Sequence, residues 1–301
     1  MRTLFIAVAF LVSIPEMAAC DVCGCSAAGN YFGILPGFHR NFVGLRWASE
    51  TSHTALSPDA LKHGQIHSVE QFNTLDLWAR LYVAPRWQLL LTAPYRESRQ
   101  TEGGRTTRVR GLGDVSVYSS YLLLDGADSS RSVWNHTLNI GGGVKLPTGR
   151  QGQLAADGAL AHPNLQTGTG STDFLATLAY IVRRNGWGGA ADLQARLTTA
   201  NARHYRFGNR LSGSVKFFYW SGTGAISLLP HTGIFFDAAA ADTDRGNLIE
   251  GSAGITGYGI LGLDVYTGRF AAGLSFQPPL WQSRGTVQPR SRWTISVNYI
   301  F

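Results

Sequence analysis

All three cysteines of the chain stand together, in Cys20-Asp-Val-Cys23-Gly-Cys25. Thiolates this close suit a soft ion such as Cu(I), with His39 downstream as a further donor. In an oxidising compartment two of them form a disulfide instead. A structural zinc site wants four ligands at other spacings. Cys20 also closes Met17-Ala18-Ala19-Cys20, which has the form of a lipoprotein signal-peptidase site, so acylation of Cys20 is another fate. The three sulfurs leave processing or disulfide formation, metal or redox work, and no fixed role all open.

Other reactive types are scattered. His63 and His67 follow Asp59 and would share a helical face able to hold a metal, but the segment reads as a solvated loop. Ser116, Ser119, Ser212, Ser214 and His231 lie in strand-like segments. No Gly-x-Ser-x-Gly elbow accompanies them, and no spacing brings a serine, a histidine and an acid together. The chain is therefore not expected to be an enzyme or to carry a cofactor. Gly141-Gly142-Gly143 falls within a strand, where glycine marks bending or close packing, not a phosphate loop. The formal charge of +7 suggests phosphate backbones, yet the arginines are dispersed, as at Arg105, Arg108 and Arg110, with no recognition motif. No nucleic-acid partner is expected.

The address agrees. Met1 to Ala19 has the form of an export signal, with Arg2, an apolar core from Leu4 to Ile14 and small residues at Ala18 and Ala19. The core is too short for a membrane span and ends at Pro15. Residues 20–37 then read as a periplasmic segment and 38–301 as one domain.

That domain has to be built from strands. The chain holds 36 glycines in 301 residues, 44% hydrophobic and 15% charged, richer in glycine and poorer in charge than soluble domains. Beyond the leader no uncharged apolar run reaches the length of a membrane helix. The hydrophobic period is two: Leu75, Leu77, Ala79, Leu81 and Val83 face one way and Asp76, Trp78, Arg80 and Tyr82 the other. The dyad recurs in Val115 to Leu123, Ala191 to Leu197, Leu211 to Tyr219 and Trp293 to Tyr299. About twelve such segments follow one another, near 38–50, 70–83, 86–98, 112–125, 132–146, 170–183, 186–199, 207–220, 223–237, 250–263, 267–278 and 291–301. Short links such as Ala84-Pro85 and Arg184-Asn185 alternate with long ones near 51–69, 99–111, 147–169, 238–249 and 279–290. Sorting of link length by parity belongs to bacterial outer-membrane barrels, with tight periplasmic turns and long outer loops; a sandwich has no cause for it. The expected class is all-β, a transmembrane antiparallel up-and-down β-barrel of about twelve strands. Outer-membrane lipid and lipopolysaccharide are its expected surroundings. Aromatics near strand ends, at Trp47, Trp87, Tyr95, Trp134, Trp187, Trp220 and Trp293, are placed for interfacial girdles. The terminal Phe301, after Tyr299 and Ile300, resembles the signal read by the barrel-assembly machinery.

Three motifs mark strand ends: Gly111-Leu112-Gly113-Asp114, Leu146-Pro147-Thr148-Gly149, and Leu165-Gln166-Thr167-Gly168-Thr169-Gly170-Ser171-Thr172-Asp173. Their order over roughly 85–300 resembles the MetA-pathway of phenol degradation family of outer-membrane transporters. As rim turns they make physical sense, glycine giving close approach and Asp and Thr bonding neighbouring backbone. The resemblance implies a β-barrel that passes small, apolar or aromatic molecules, and it assigns no solute contact.

With the apolar face in lipid, the other face lines the interior. Parity places Arg46, Asp76, Arg80, Lys145, Asp192, Arg196, Arg210, Lys216, His231 and Arg269 there. Positive charge dominates this set, so the expected lumen is basic, partly occluded and favourable to small anions, or closed by pairs such as Asp76 with Arg80 and Asp192 with Arg196. The leading expectation is an outer-membrane channel or transporter for a small solute. A barrel whose Cys20, Cys23, Cys25 and His39 handle copper or another soft metal is the second. A structural or adhesin barrel working through loops near 51–69 and 147–169 is the third.

Overall fold

The computed structural model describes residues 40–55, 65, 67–125, 134–155, 157–222, 224–283 and 287–301. The leader, the cysteine segment 20–37, His39 and His63 lie outside the described residues, and with them the expectations about lipidation and metal binding.

Alternating polarity becomes a closed antiparallel barrel. In chain order its staves are β1 (Phe42–Thr54), β2 (Ser68–Ala84), β3 (Trp87–Glu102), β4 (Arg105–Leu112) continued by β5 (Ser116–Asp125), β6 (Asn135–Lys145), β7 (Asp173–Arg184) and β8 (Trp187–Leu197). After a two-residue β9 (Tyr205–Arg206) come β10 (Arg210–Tyr219) and β11 (Ile226–Ala239). Short β12 (Thr243–Asp244) and β13 (Asn247–Leu248) precede β14 (Gly254–Thr267), β15 (Phe270–Gln277) continued by β16 (Pro279–Gln282), and β17 (Val287–Ile300). Each stave pairs with its neighbours, β11 with β14, and β1 with β17 from Phe42↔Ile300 to Thr54↔Val287, so the barrel closes. Counting the two interrupted staves once each gives twelve. Gly113 to Val115 interrupt one of them. Pro278 interrupts the other, and it has no N–H to give a ladder.

The outer face is apolar where lipid is expected. On β3 the outward residues from Trp87 through Leu89, Leu91 and Ala93 to Tyr95 cover about 26 Å of strand. At a tilt of about 40° that is roughly 20 Å of height, near the apolar band of about 25 Å in such barrels. Trp47, Trp87, Tyr95, Trp134, Trp187 and Trp293 are exposed on this face. Trp220 differs from expectation: it is half-buried, packed edge-on to Tyr266.

Two expected loops are strand. The stretch 99–111 is a hairpin in which β3 and β4 pair from Tyr95↔Leu112 to Glu102↔Arg105, turning at Gly103 and Gly104 with φ of 53° and 80°. Positive φ at both positions is what a tight hairpin demands and glycine supplies. The segment lacks an apolar face because it projects beyond the girdle, so its period-two signal vanishes. Likewise 279–282 and 287–290 are strand, not loop. The alternation of short and long connections otherwise stands, and the short-turn end is taken as periplasmic.

Candidate functional site

Nine of the ten residues that parity assigns to the interior are buried or half-buried. Arg46, Asp76, Arg80, Lys145, Lys216 and His231 are buried within the barrel, and Asp192, Arg196 and Arg210 stand half-buried on the same inner face. Arg269 does not belong: it is exposed in the β14–β15 turn and donates to the Tyr299 hydroxyl at 3.2 Å. A turn residue has no strand parity to obey.

Charge is balanced, not basic. Buried acids at Glu50, Glu70, Asp76, Asp114, Asp173, Asp237, Asp242 and Asp264 face buried cations at Arg46, Arg80, Arg96, Lys145, Lys216 and Arg292. Arg46 meets Asp76 at 2.8 Å, Arg292 meets Glu50 at 3.0 Å, Arg210 meets Asp237 at 3.3 Å and Lys216 meets Asp192 at 3.5 Å. The expected pairs Asp76 with Arg80 and Asp192 with Arg196 are therefore replaced. Residues four apart on a strand are separated by about 13 Å, whereas Arg46 and Asp76 are direct cross-strand partners, with side chains within reach. Arg80 instead lies over the Phe42 ring at 5.0 Å and donates to the Arg40 carbonyl at 3.2 Å. Glu50, Asp114 and Asp237 share the parity of Arg46, Ser116 and His231, so the signal that locates them was present at the strand ends.

Other inner groups are tied across the lumen. Gln194 of β8 donates to the Tyr118 hydroxyl of β5 at 2.9 Å, and Arg292 stacks over Tyr258 of β14 at 4.0 Å. His231 lines a small recess with Arg46, Trp78, Asp264, Ser275 and Ser296. Its Nδ1 is 4.0 Å from Asp264, too far for a hydrogen bond. Among the described residues no cluster of three or more His, Cys, Asp or Glu is placed to hold a metal.

Towards the periplasmic end the lining turns apolar. Phe42, Trp78, Ile181, Phe218, Leu229, Tyr266, Ala271 and Ile300 form one buried cluster, with Leu90, Ala190 and Trp220 against it. These residues come from strands around most of the wall, so the cluster is a floor across the lumen, not a patch on one side.

At the opposite end the three glycine-rich motifs meet. Lys145 Nζ lies 2.9 Å from Asp114 and 3.1 Å from Asp173, bonds the Thr169 hydroxyl and donates to the Ser171 carbonyl at 3.0 Å. Asp114 accepts in turn from the backbone N–H of Gly149 and of Thr169, each at 2.9 Å. A Cβ on Gly168 would sit 2.6 Å from the Gly149 Cα, and one on Gly149 equally close to the Gly168 Cα, so glycine is required where the two segments cross. The node draws the 146–172 loop inward. Its Ala161 and Leu165 are buried against Phe72 of β2 and Val109 of β4, both on the inner face. Asn201, from the β8–β10 connection, adds a bond to the Thr169 carbonyl at 3.0 Å. The loop thus lies inside the extracellular mouth.

No family model matches the chain, and no curated protein sequence matches it. Solved structures do. An outer membrane channel from Pseudomonas putida F1 superposes with a TM-score of 0.67 over 89% of this chain and 100% of that one, at 13% identity. The β domain of the Bordetella autotransporter BrkA gives a TM-score of 0.51 over 87% and 100%, at 12% identity. At such identities the likeness is one of fold: this is a bacterial outer-membrane β-barrel. The resemblance to the phenol-degradation family is not matched by a family model, and its motifs are accounted for by the clamp at the mouth.

Proposed function

We propose that the barrel is a gated conduit for a small solute across the outer membrane, held closed by the loop in its mouth and the apolar floor beneath. The observation that carries this reading is the Lys145 node. A single buried cation ties two strand ends and the inward loop together, and a purely structural barrel has no need of a loop folded into its lumen. Above the apolar floor the inner face is polar and charged, which lipid would penalise but a solute path uses. The apolar floor suits a cargo with an apolar part, in keeping with the motif resemblance. Among the described residues His231, Asp264, Ser275 and Ser296 share one recess, but His231 stands 4.0 Å from Asp264, beyond a hydrogen bond, and we read the protein as a conduit.

Planar-bilayer recording tests the reading. The wild-type barrel is expected to conduct rarely. Lys145→Met, which removes the tie, is expected to raise the open fraction at least about tenfold, the effect of roughly 1.4 kcal/mol on a two-state equilibrium. A folded Lys145→Met barrel that never conducts would falsify the proposal.

A further inference from the structure

Arg196 and Arg210 stand directly opposite each other on β8 and β10, an arrangement that costs stability when both charges are unscreened. Arg210 is neutralised by Asp237 at 3.3 Å. Arg196 has no hydrogen bond or ion pair among the described residues, although it is half-buried on the inner face. Both arginines line a small recess, partly open to solvent, beside the mouth loop. Thr169, Asp173, Phe207 and Asp242 complete much of its wall.

The carboxylates there are already engaged. Asp173 accepts from the Ser171 hydroxyl at 2.9 Å and faces Lys145. Asp242 accepts from the Tyr205 hydroxyl and the Gly208 N–H, both at 2.6 Å. Phe207, whose ring packs edge-on to Tyr205, supplies an apolar wall next to the arginines. The recess thus offers one uncommitted guanidinium beside an aromatic face, at a surface partly open to solvent.

We infer that this recess is a binding site for a small organic carboxylate. Arg196 takes the carboxylate through its planar fork, as guanidinium groups do. Phe207 covers the apolar body. The inference deepens the conduit reading by giving the solute a class and a place of first contact, and it rests on that reading only for its role in transport.

The test uses the full mature barrel folded in detergent, with benzoate as probe and benzyl alcohol and benzylammonium as its neutral and cationic counterparts. Equilibrium dialysis is expected to show one saturable benzoate site, with both counterparts at least about tenfold weaker. Arg196→Gln is expected to weaken benzoate about tenfold or more, with heat-modifiable gel migration unchanged. Phe207→Ala, useful if Arg196→Gln does not fold, is expected to weaken benzoate while leaving acetate as it was. Equal benzoate affinity in Arg196→Gln or in Phe207→Ala, equal binding of benzyl alcohol, or displacement of benzoate by an equal concentration of inorganic phosphate overturns the inference. Liposome flux of an uncharged solute separates the two claims. Flux without benzoate binding removes this site and leaves the conduit; benzoate binding without flux under any condition does the reverse.

Discussion

Lys145 is nearly fully buried between two carboxylates that are themselves buried, so its removal strands both. A buried pair broken from one side costs about 3–5 kcal/mol; the expected result for Lys145→Met is a clear fall in the temperature at which the barrel loses its compact gel migration. Arg46 and Asp76 allow a cleaner comparison, since they pair across adjacent strands within the lumen. Arg46→Leu alone should destabilise more than Arg46→Leu with Asp76→Leu, because the double change leaves no unpaired charge. Denaturant titration of the three variants checks this, and a double variant weaker than the single would count against an ion pair in a low-dielectric interior. At this scale the sequence disclosed which side chains face inward, because parity is local. It did not disclose partners: those are set by cross-strand register, which the order of residues along one strand does not contain.

The floor and the mouth loop are the elements on which closure depends. Phe42 packs edge-on to Trp78 at 4.5 Å and carries the Arg80 guanidinium above it. Phe42→Ala should cost about 3–5 kcal/mol as a large-to-small change in a packed layer. It should also raise the leak conductance, where a core residue of a soluble domain would show only the loss of stability. A stability loss with no change in leak would mean that the floor does not limit passage. The strands themselves were readable wherever one face met lipid. They were unreadable at 99–111, where the ladder continues beyond the girdle, and at 279–282 and 287–290, where Pro278 and Pro279 break the expected pattern. The loop's inward course was also hidden, since Leu165 and Ala161 owe their burial to Phe72 and Val109, which are remote in the chain.

For the whole molecule, greasy outside and polar inside is an inversion of the soluble plan, and it makes a differential prediction. Leu77, 52% exposed on the outer face of β2, should tolerate arginine badly, at about 2–4 kcal/mol if it lies near midplane. Gln71, on the same face nearer the strand end, with Asn73 beside it, should accept it almost freely. Folding into vesicles, titrated with urea, measures the difference; equal costs would place the membrane elsewhere. The overall class was legible because closure leaves a statistical trace, an even number of strands and connections that alternate in length, while the filled mouth leaves none. The β3–β4 hairpin has a practical corollary. A rigid two-stranded mast ending at Gly103 and Gly104, with nothing within 4 Å of where either Cβ would be, is a natural place to splice a short antibody tag. Labelling of intact cells would then report which way round the cylinder sits, without disturbing anything it encloses.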